Sequence, residues 1–235
     1  METKHGITWA ATLAAVSLSG TVTETKATPW TMPAGEAEHF SYANGQDLNG
    51  IFGDPYVSGD TFVFPDFSMS VSAENGANDS QSDAVSVDLY ANPGWMFGLT
   101  RITAFGSYGA TGNASVDFDA LISFQELGPP GRSWNGPMHT NPSFPRSNDS
   151  GSWSGLAVID ITFEFPHPSD SMHLEYSNSA LAITGVDGSA YLNVLYQPRG
   201  AFELHIGMVP IPEPGSLALL LCGVVLTAGR RKGAW

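Results

Sequence analysis

Apolar and polar residues alternate over three stretches of this chain, at 114–125, 153–165 and 171–176. Successive side chains of a β-strand point to opposite faces, so a period of two predicts strands that are buried on one face. Leu121 is the exception in the first stretch. The residues predicted to face inward are Val116, Phe118, Ala120, Ile122 and Phe124; Trp153, Ala157, Ile159, Ile161, Phe163 and Phe165; and Met172, Leu174 and Tyr176.

Shorter strand candidates surround these three stretches, and turn-forming residues separate them. The spacing predicts an all-β fold for residues 28–208, an antiparallel β-sandwich or jelly roll of about ten strands. No segment outside the two ends of the chain has a sustained helical stripe of apolar residues. The further strands are predicted at 61–64, 67–73, 84–90, 96–105, 180–184, 190–196 and 201–206, with turns at Glu74-Asn75-Gly76, Asn92-Pro93-Gly94 and Asp187-Gly188.

The segment from Leu127 to Ser152 interrupts this rhythm with five prolines and little alternation. It predicts a long loop between strands of one domain, and long loops in compact domains often carry function. Exposed Trp134 and Phe144 in this loop are candidates for stacking against sugar rings. Trp95 and Trp153 are interpreted as core residues, whereas for Trp134 the core and ligand interpretations are equally open.

The first 27 residues have the order of a secretory signal peptide. Lys4 and His5 precede an apolar run of 12 residues, Ile7 to Leu18. At about 1.5 Å per residue, such a helix is too short to cross a membrane core of about 30 Å. Cleavage is predicted near Ser19 or Ala27, and an ordinary N-terminal helix is the alternative.

The last residues combine a proline-rich boundary, an apolar run and a basic end. Between Glu213 and Arg230 lie 16 uncharged residues. As a helix they would extend about 24 Å, marginal for spanning a membrane. The basic residues would stay on the cytoplasmic side. We therefore expect residues 215–229 to enter the inner membrane transiently, with the rest of the chain exported.

Residues 209–235 resemble the PEP-CTERM sorting signal of Gram-negative bacteria. The resemblance rests on Pro212-Glu213-Pro214, the apolar Leu217 to Ala228 and the basic Arg230-Arg231-Lys232, in that order at the C-terminal end. It implies recognition and cleavage near Pro-Glu-Pro by an exosortase, and delivery to the cell surface or to an exopolysaccharide matrix such as that of a biofilm. The signal departs from the pattern only in its final Gly-Ala-Trp, and it implies nothing about the activity of the preceding domain.

Charge supports export and argues against binding to nucleic acid. Between Thr28 and Pro214 the chain has four arginines and no lysine against 21 of its 23 acidic residues, a net charge of −17. Such a surface repels nucleic acid and anionic lipid. The single cysteine, Cys222, lies in the apolar run, so the domain contains no disulfide. We interpret Cys222 as a small apolar residue of the membrane segment.

Catalytic motifs are weak. The sequence Gly-Ser-Trp-Ser-Gly at 151–155 has Trp153 where a nucleophile elbow has serine, and no serine motif accompanies the scattered histidines. Glu164 and Glu175 are predicted to be solvated positions on strands rather than a glycosidase pair. The histidines considered are His39, His139, His167, His173 and His205.

Metal binding is open. His167, Asp170 and His173 offer a weak transition-metal candidate, without a recognised zinc spacing. Hard oxygen ligands suit calcium better, and they are available in two places. These places are Asn78-Asp79-Ser80 with Asp83, and Asp117 with Asp119.

Together these patterns predict a non-enzymatic exported surface or matrix protein that needs no cofactor. Its partners would be an exosortase and the secretion machinery, with exopolysaccharide as a further ligand. A carbohydrate-binding module is the alternative function, and an extracellular hydrolase is a weaker one.

Overall fold

The computed structural model describes residues 27–162, 170–195 and 202–211. Strands account for most of these residues, and no α-helix occurs among them. The signal peptide apart from Ala27, the sorting residues from Pro212 onward, Cys222, and His167 with Phe163, Glu164 and Phe165 lie outside the described residues. The prediction of an all-β, antiparallel protein is confirmed.

Sixteen strands form in the described residues, more than the ten predicted. Their bounds are Thr28–Pro29 (β1), Gly35–Glu36 (β2), Phe40–Asp47 (β3), Tyr56–Ser58 (β4), Thr61–Phe64 (β5), Met69–Glu74 (β6), Asn78–Ala91 (β7), Trp95–Phe97 (β8), Leu99–Glu126 (β9), Ser133–Pro137 (β10), His139–Asn141 (β11), Arg146–Asp160 (β12), Ser171–Thr184 (β13), Ser189–Leu195 (β14), Phe202–His205 (β15) and Met208–Pro210 (β16).

The 28-residue strand β9 organises the fold. Its N-terminal half pairs with β12 on one side and with β14 on the other. Its C-terminal half pairs instead with β13 and β10. Because β9 changes partners along its length, one antiparallel sheet curls into a half-barrel. On one side the sheet continues from β13 to β7 and β3, and on the other it continues from β14 to β6. A separate two-stranded sheet joins β16 to β8.

The predicted alternation is confirmed wherever the structure describes it. Val116, Phe118, Ala120, Ile122 and Phe124 of β9 are all buried, whereas Leu121 is exposed. Trp153, Ala157 and Ile159 of β12 are also buried, as is Ile161 directly after this strand. In β13 the buried side chains are those of Met172, Leu174 and Tyr176.

Aromatic side chains fill the centre of the core. The Phe52 ring centroid lies 5.1 Å from that of Phe202, 5.6 Å from Phe64 and 5.8 Å from Tyr176. Each such side chain contributes about 1.5–3 kcal/mol when it is fully buried. In a chain whose domain lacks disulfides, this burial and the strand pairing hold the fold together.

The segment 127–152 is not the continuous loop that its prolines predict. It contains β10, β11 and the beginning of β12. Pro137 ends β10, which pairs only with β9, and proline is tolerated at the edge of a sheet because its missing N–H is not needed there. Strand pairing therefore overrides the local composition.

The predicted turn at Asn75-Gly76 is confirmed. Both residues have positive φ angles, 53° and 87°. These angles suit a tight turn, and asparagine and glycine adopt them at little cost. The turn connects β6 to β7 and so links the two halves of the curled sheet.

Within the described residues, no helix is long and apolar enough to cross a membrane.

Candidate functional site

A groove lies on the outward face of β7, β13 and β9, and we call it the outer groove. Its volume is about 540 Å³. Strand register aligns the outward residues of the three strands in rows: Ser82 with Ser179 and Asp119, Ala84 with Ser177 and Leu121, and Ser86 with Glu175 and Ser123. Small side chains on adjacent strands leave a depression, and the larger Leu48, Leu121, Pro137 and Glu175 border it. The groove thus offers hydroxyl and carboxylate groups between two exposed leucines.

The two outward carboxylates of the groove are far apart. Glu175 pairs with Ser123, and Asp119 lies four residues away from Ser123 on β9. At about 3.3 Å per residue, this places the two positions roughly 13 Å apart along the strand. Glycosidases hold their catalytic carboxyl groups about 5–9.5 Å apart. This pair therefore does not have the separation that glycoside hydrolysis requires.

His173 lies beyond one end of the groove and is paired across the strands. Its Nδ1 is 2.7 Å from Asp88 Oδ1, and the Asn44 side-chain amide donates to Asp88 Oδ2 at 2.7 Å. Asp170, the predicted neighbour in a metal site, instead accepts a hydrogen bond from the Ser171 hydroxyl. The structure thus joins His173 to Asp88.

Asp79 and Asp83, two of the predicted calcium ligands, lie in different surroundings. Asp79 accepts a hydrogen bond from the Ser72 N–H at 2.9 Å, whereas Asp83, four residues along the same strand, is buried. Partial burial raises the pKa of Asp117, and the charge of Asp119 adds to the rise. Calcium binding at these positions stays a prediction.

Asp47 and Asp83 form a buried pair that the sequence analysis did not connect. The Asp83 carboxylate accepts hydrogen bonds from the N–H groups of Asn49, Ile51, Phe52 and Ala84 at 2.7–3.2 Å. Asp47 accepts from Gly50 and Gly53 at 3.0 and 2.8 Å. Burial raises the pKa of Asp83 to about 6, and the neighbouring Asp47 contributes to the rise. Because backbone donors already surround both carboxylates, the pair anchors the loop at 48–53.

A second cluster brings together Glu38, His39, Asp60 and Trp95, and we call it the His39 cluster. Glu38 and His39 directly precede β3, Asp60 lies in the turn between β4 and β5, and Trp95 begins β8. The ring centroids of His39 and Trp95 are 3.7 Å apart. Among the described residues, only Glu38, His39 and Asp60 form a group of three metal-ligating side chains whose ligand atoms lie within 4.8 Å of one another.

Asp60 holds His39 by two hydrogen bonds. Its Oδ1 accepts from the His39 backbone N–H at 2.9 Å, and its Oδ2 is 2.6 Å from the ring Nδ1. No serine or threonine hydroxyl in the described ranges hydrogen-bonds to this ring, so the cluster lacks the nucleophile of a hydrolase triad. A His205 ring nitrogen does lie 3.2 Å from the Thr61 hydroxyl, at an exposed position.

The aromatic residues of segment 127–152, which the sequence predicted to be a loop, pack inward. Trp134 is half-buried against the core, and the Arg132 guanidinium carbon lies 5.4 Å from its ring centroid. Phe144 contacts Tyr108 and Trp153 with centroid separations of 5.6 Å each. Trp153 is buried, which confirms its interpretation as a core residue, whereas Trp95 is partly exposed beside His39. Stacking of a sugar on Trp134 stays a prediction.

Comparison with known proteins gives no further assignment, because no protein-family model and no curated protein matches this chain. The class that the fold defines is therefore an all-β protein with antiparallel strands.

Proposed function

We propose that this chain is an exported, non-enzymatic protein of the cell surface or the exopolysaccharide matrix of a Gram-negative bacterium. In this proposal an exosortase recognises the PEP-CTERM signal at 209–235 after a signal peptide, residues 1–27, has directed export. The residue order that carries the proposal is Pro212-Glu213-Pro214, an apolar run and then Arg230-Arg231-Lys232. In the same proposal, the domain at 28–208 is a β-sandwich formed by the curled antiparallel sheet.

The position of the last strand supports cleavage at this signal. Strand β16 pairs with β8, and the Ile211 N–H donates to the Gly94 carbonyl at 2.8 Å. Pro212-Glu213-Pro214 follows directly. A cut near these residues would remove the C-terminal segment without breaking any described strand pairing, so the released domain would keep its fold.

Composition also supports an exported and hydrated location. The domain has a strong negative charge, which favours solubility and repels nucleic acid. Its stability rests on aromatic burial and strand pairing and does not depend on disulfide formation during export.

Deletion of residues 212–235 tests the sorting proposal. We expect the truncated protein to leave the cell-surface fraction for the periplasm or the medium, as measured by fractionation and immunoblotting. Replacement of Arg230, Arg231 and Lys232 by glutamine should impair sorting in the same direction. Deletion of Gly233, Ala234 and Trp235 is the matched control, because these residues lie beyond the basic cluster and should leave sorting unchanged. Identical fractionation of the full and 212–235-deleted proteins would refute the proposal.

Binding of a matrix polysaccharide is a second candidate function, and the outer groove favours it. Sugar hydroxyls pair well with serine hydroxyls and carboxylates, and the exposed Leu48 and Leu121 can contact the apolar face of a sugar ring. Ser177→Phe would fill the groove, whereas Ser152→Phe places the same side chain at an exposed position of β12. Retention on a polysaccharide affinity gel should be lost in Ser177→Phe and kept in Ser152→Phe.

The Trp134 prediction is tested on the same gel. If Trp134 stacks against the sugar, the Trp134→Ala protein is no longer retained on the gel. If the sugar binds only in the outer groove, this variant is still retained. Absence of retention of the unaltered protein on neutral and acidic polysaccharides would count against carbohydrate binding altogether.

A further inference from the structure

The His39 cluster has the geometry of a metal centre that the sorting proposal does not require. Its three ligand-bearing residues come from two segments, the residues directly before β3 and the turn before β5. Glu38 is mostly exposed, with 63% of its side-chain surface accessible, whereas Asp60 is 12% and His39 is 23% accessible. The cluster is therefore fixed on its inner side and open to solvent at Glu38.

Asp60 fixes the orientation of the imidazole ring. Asp60 Oδ2 lies 2.6 Å from Nδ1, so Nε2 is the ring nitrogen left to bind a ligand, and in the neutral imidazole it carries the lone pair. The backbone bond from His39 to Asp60 Oδ1 holds the same carboxylate in place. Trp95 packs against the ring with its plane inclined by 40°. Ligating histidines commonly donate their second N–H to a carboxylate in this way, which orients the ring and raises its basicity.

Glu38 supplies a second ligand at a suitable distance. Its Oε1 lies 3.8 Å from His39 Nε2. A zinc ion with bonds of about 2.0–2.2 Å to nitrogen and oxygen needs two ligand atoms roughly 3.4 Å apart in tetrahedral geometry. Because the Glu38 side chain is exposed, a small rotation closes this difference. The negative charge of the domain attracts divalent cations to its surface.

We propose that His39 Nε2 and the Glu38 carboxylate bind a divalent transition-metal ion of the zinc class, with Asp60 as the positioning residue of the histidine and water at the open positions. An imidazole nitrogen beside carboxylate oxygen suits zinc or cobalt, whereas calcium and magnesium prefer oxygen ligands alone. His173 and Asp88 form a similar pair at 2.7 Å, but no third ligand joins them within the described ranges. His173 thus provides an internal control.

Titration calorimetry of the metal-free, full-length chain in a mild detergent with zinc chloride tests this assignment. We expect saturable binding that His39→Ala weakens at least tenfold, and that Glu38→Gln weakens in the same direction. Loss of a histidine-orienting carboxylate commonly costs about 10–100-fold in metal affinity, so Asp60→Asn should weaken binding to that extent. His173→Ala should bind zinc as the unaltered chain does. Because Glu38 is exposed, Glu38→Gln tests the site without disturbing the core.

Two results would overturn the assignment. One is unchanged zinc affinity in both His39→Ala and Glu38→Gln, which would place the metal elsewhere. The other is displacement of zinc by a large excess of calcium, which would show a surface that collects hard cations. Cobalt provides an independent readout, since coordination by His39 and Glu38 should give visible absorption bands that differ from those of hydrated cobalt, are lost in His39→Ala and persist in His173→Ala.

Discussion

The Phe52 backbone N–H donates a hydrogen bond to the Asp83 carboxylate, which lies 31 residues further along the chain, at 3.2 Å. This bond is one of six that join the loop at 48–53 and the Ala84 N–H to Asp47 and Asp83. It places the Phe52 ring among the aromatic residues of the core. A buried carboxylate on a strand thus substitutes for strand pairing in holding an irregular loop.

Asp83→Ala should destabilise the protein strongly. It removes the acceptor of four backbone N–H groups, and each buried donor left without a partner costs about 1–3 kcal/mol. We expect a loss of more than about 3 kcal/mol in the free energy of unfolding, measured by urea denaturation. Asp79→Ala is the matched control on the same strand, where one N–H bond at an exposed position is lost, and about 1 kcal/mol or less is expected. Equal losses in the two variants would contradict the role given to Asp83.

The Asp47–Asp83 pair also predicts a pH dependence. The pKa of Asp83 is raised from 3.8 to about 6 in the folded state, so the folded protein binds more protons than the unfolded chain between these values. The stability contributed by this group is therefore fully present below about pH 4 and declines as the pH rises through about 6. Asp47→Asn removes the negative neighbour, lowers the pKa of Asp83 and should reduce this decline.

Urea denaturation of both proteins at about pH 4, 5.5 and 7 measures this effect. The quantity to compare is the difference in unfolding free energy between Asp47→Asn and the unaltered protein, because other carboxylates titrate equally in both. As the pH rises, the unfolding free energy of Asp47→Asn should increase relative to that of the unaltered protein. A difference that does not change with pH would show that the two carboxylates do not interact.

Gly106→Ala should disrupt the close packing of β9 between β12 and β14. Gly106 lies between Trp153 of β12 and Val194 of β14, and a Cβ atom there would overlap the Asn193 carbonyl and the Trp153 indole. Overpacking of this kind costs about 1–3 kcal/mol. In Gly151→Ala the added methyl group would lie 3.6 Å from the Tyr108 hydroxyl, an ordinary contact, so a smaller effect is expected. Thermal unfolding of the two variants measures the contrast, and equal melting temperatures would contradict close packing at Gly106.

The strands that could be predicted from the sequence are those with one apolar face. Val116 to Phe124 and Met172 to Tyr176 alternate because one side of each strand meets the core. The strands missed at 28–47 and 133–141 are short or lie toward the edges of the sheet, where pairing does not require a regular apolar face. Pro137 and its neighbours therefore indicated a loop, although β9 provides a partner for them.

The candidate sites were less predictable, because each joins residues that are distant in sequence. His39 and Asp60 are 21 positions apart and meet only when β3 and β5 take their places in the fold. Asp83 ends a polar run from Asn78, so nothing local indicates that it is buried. The alternation predicts that Asp119 and Glu175 face outward, but Ser82, Ser177 and Ser179 lie outside the predicted strands, and the register that aligns Ser82 with Ser179 and Asp119 has no local signal.

The intact mass of the protein isolated from the cell surface tests the central proposal most directly. The full chain has a mass of 24.9 kDa. If export and sorting proceed as proposed, the mature protein lacks residues 1–27 and the residues beyond a cut near Pro212-Glu213-Pro214, and its terminal peptides map to these two positions. A cell-surface protein that retains the full mass of 24.9 kDa, with Arg230-Arg231-Lys232 present, would contradict the proposal.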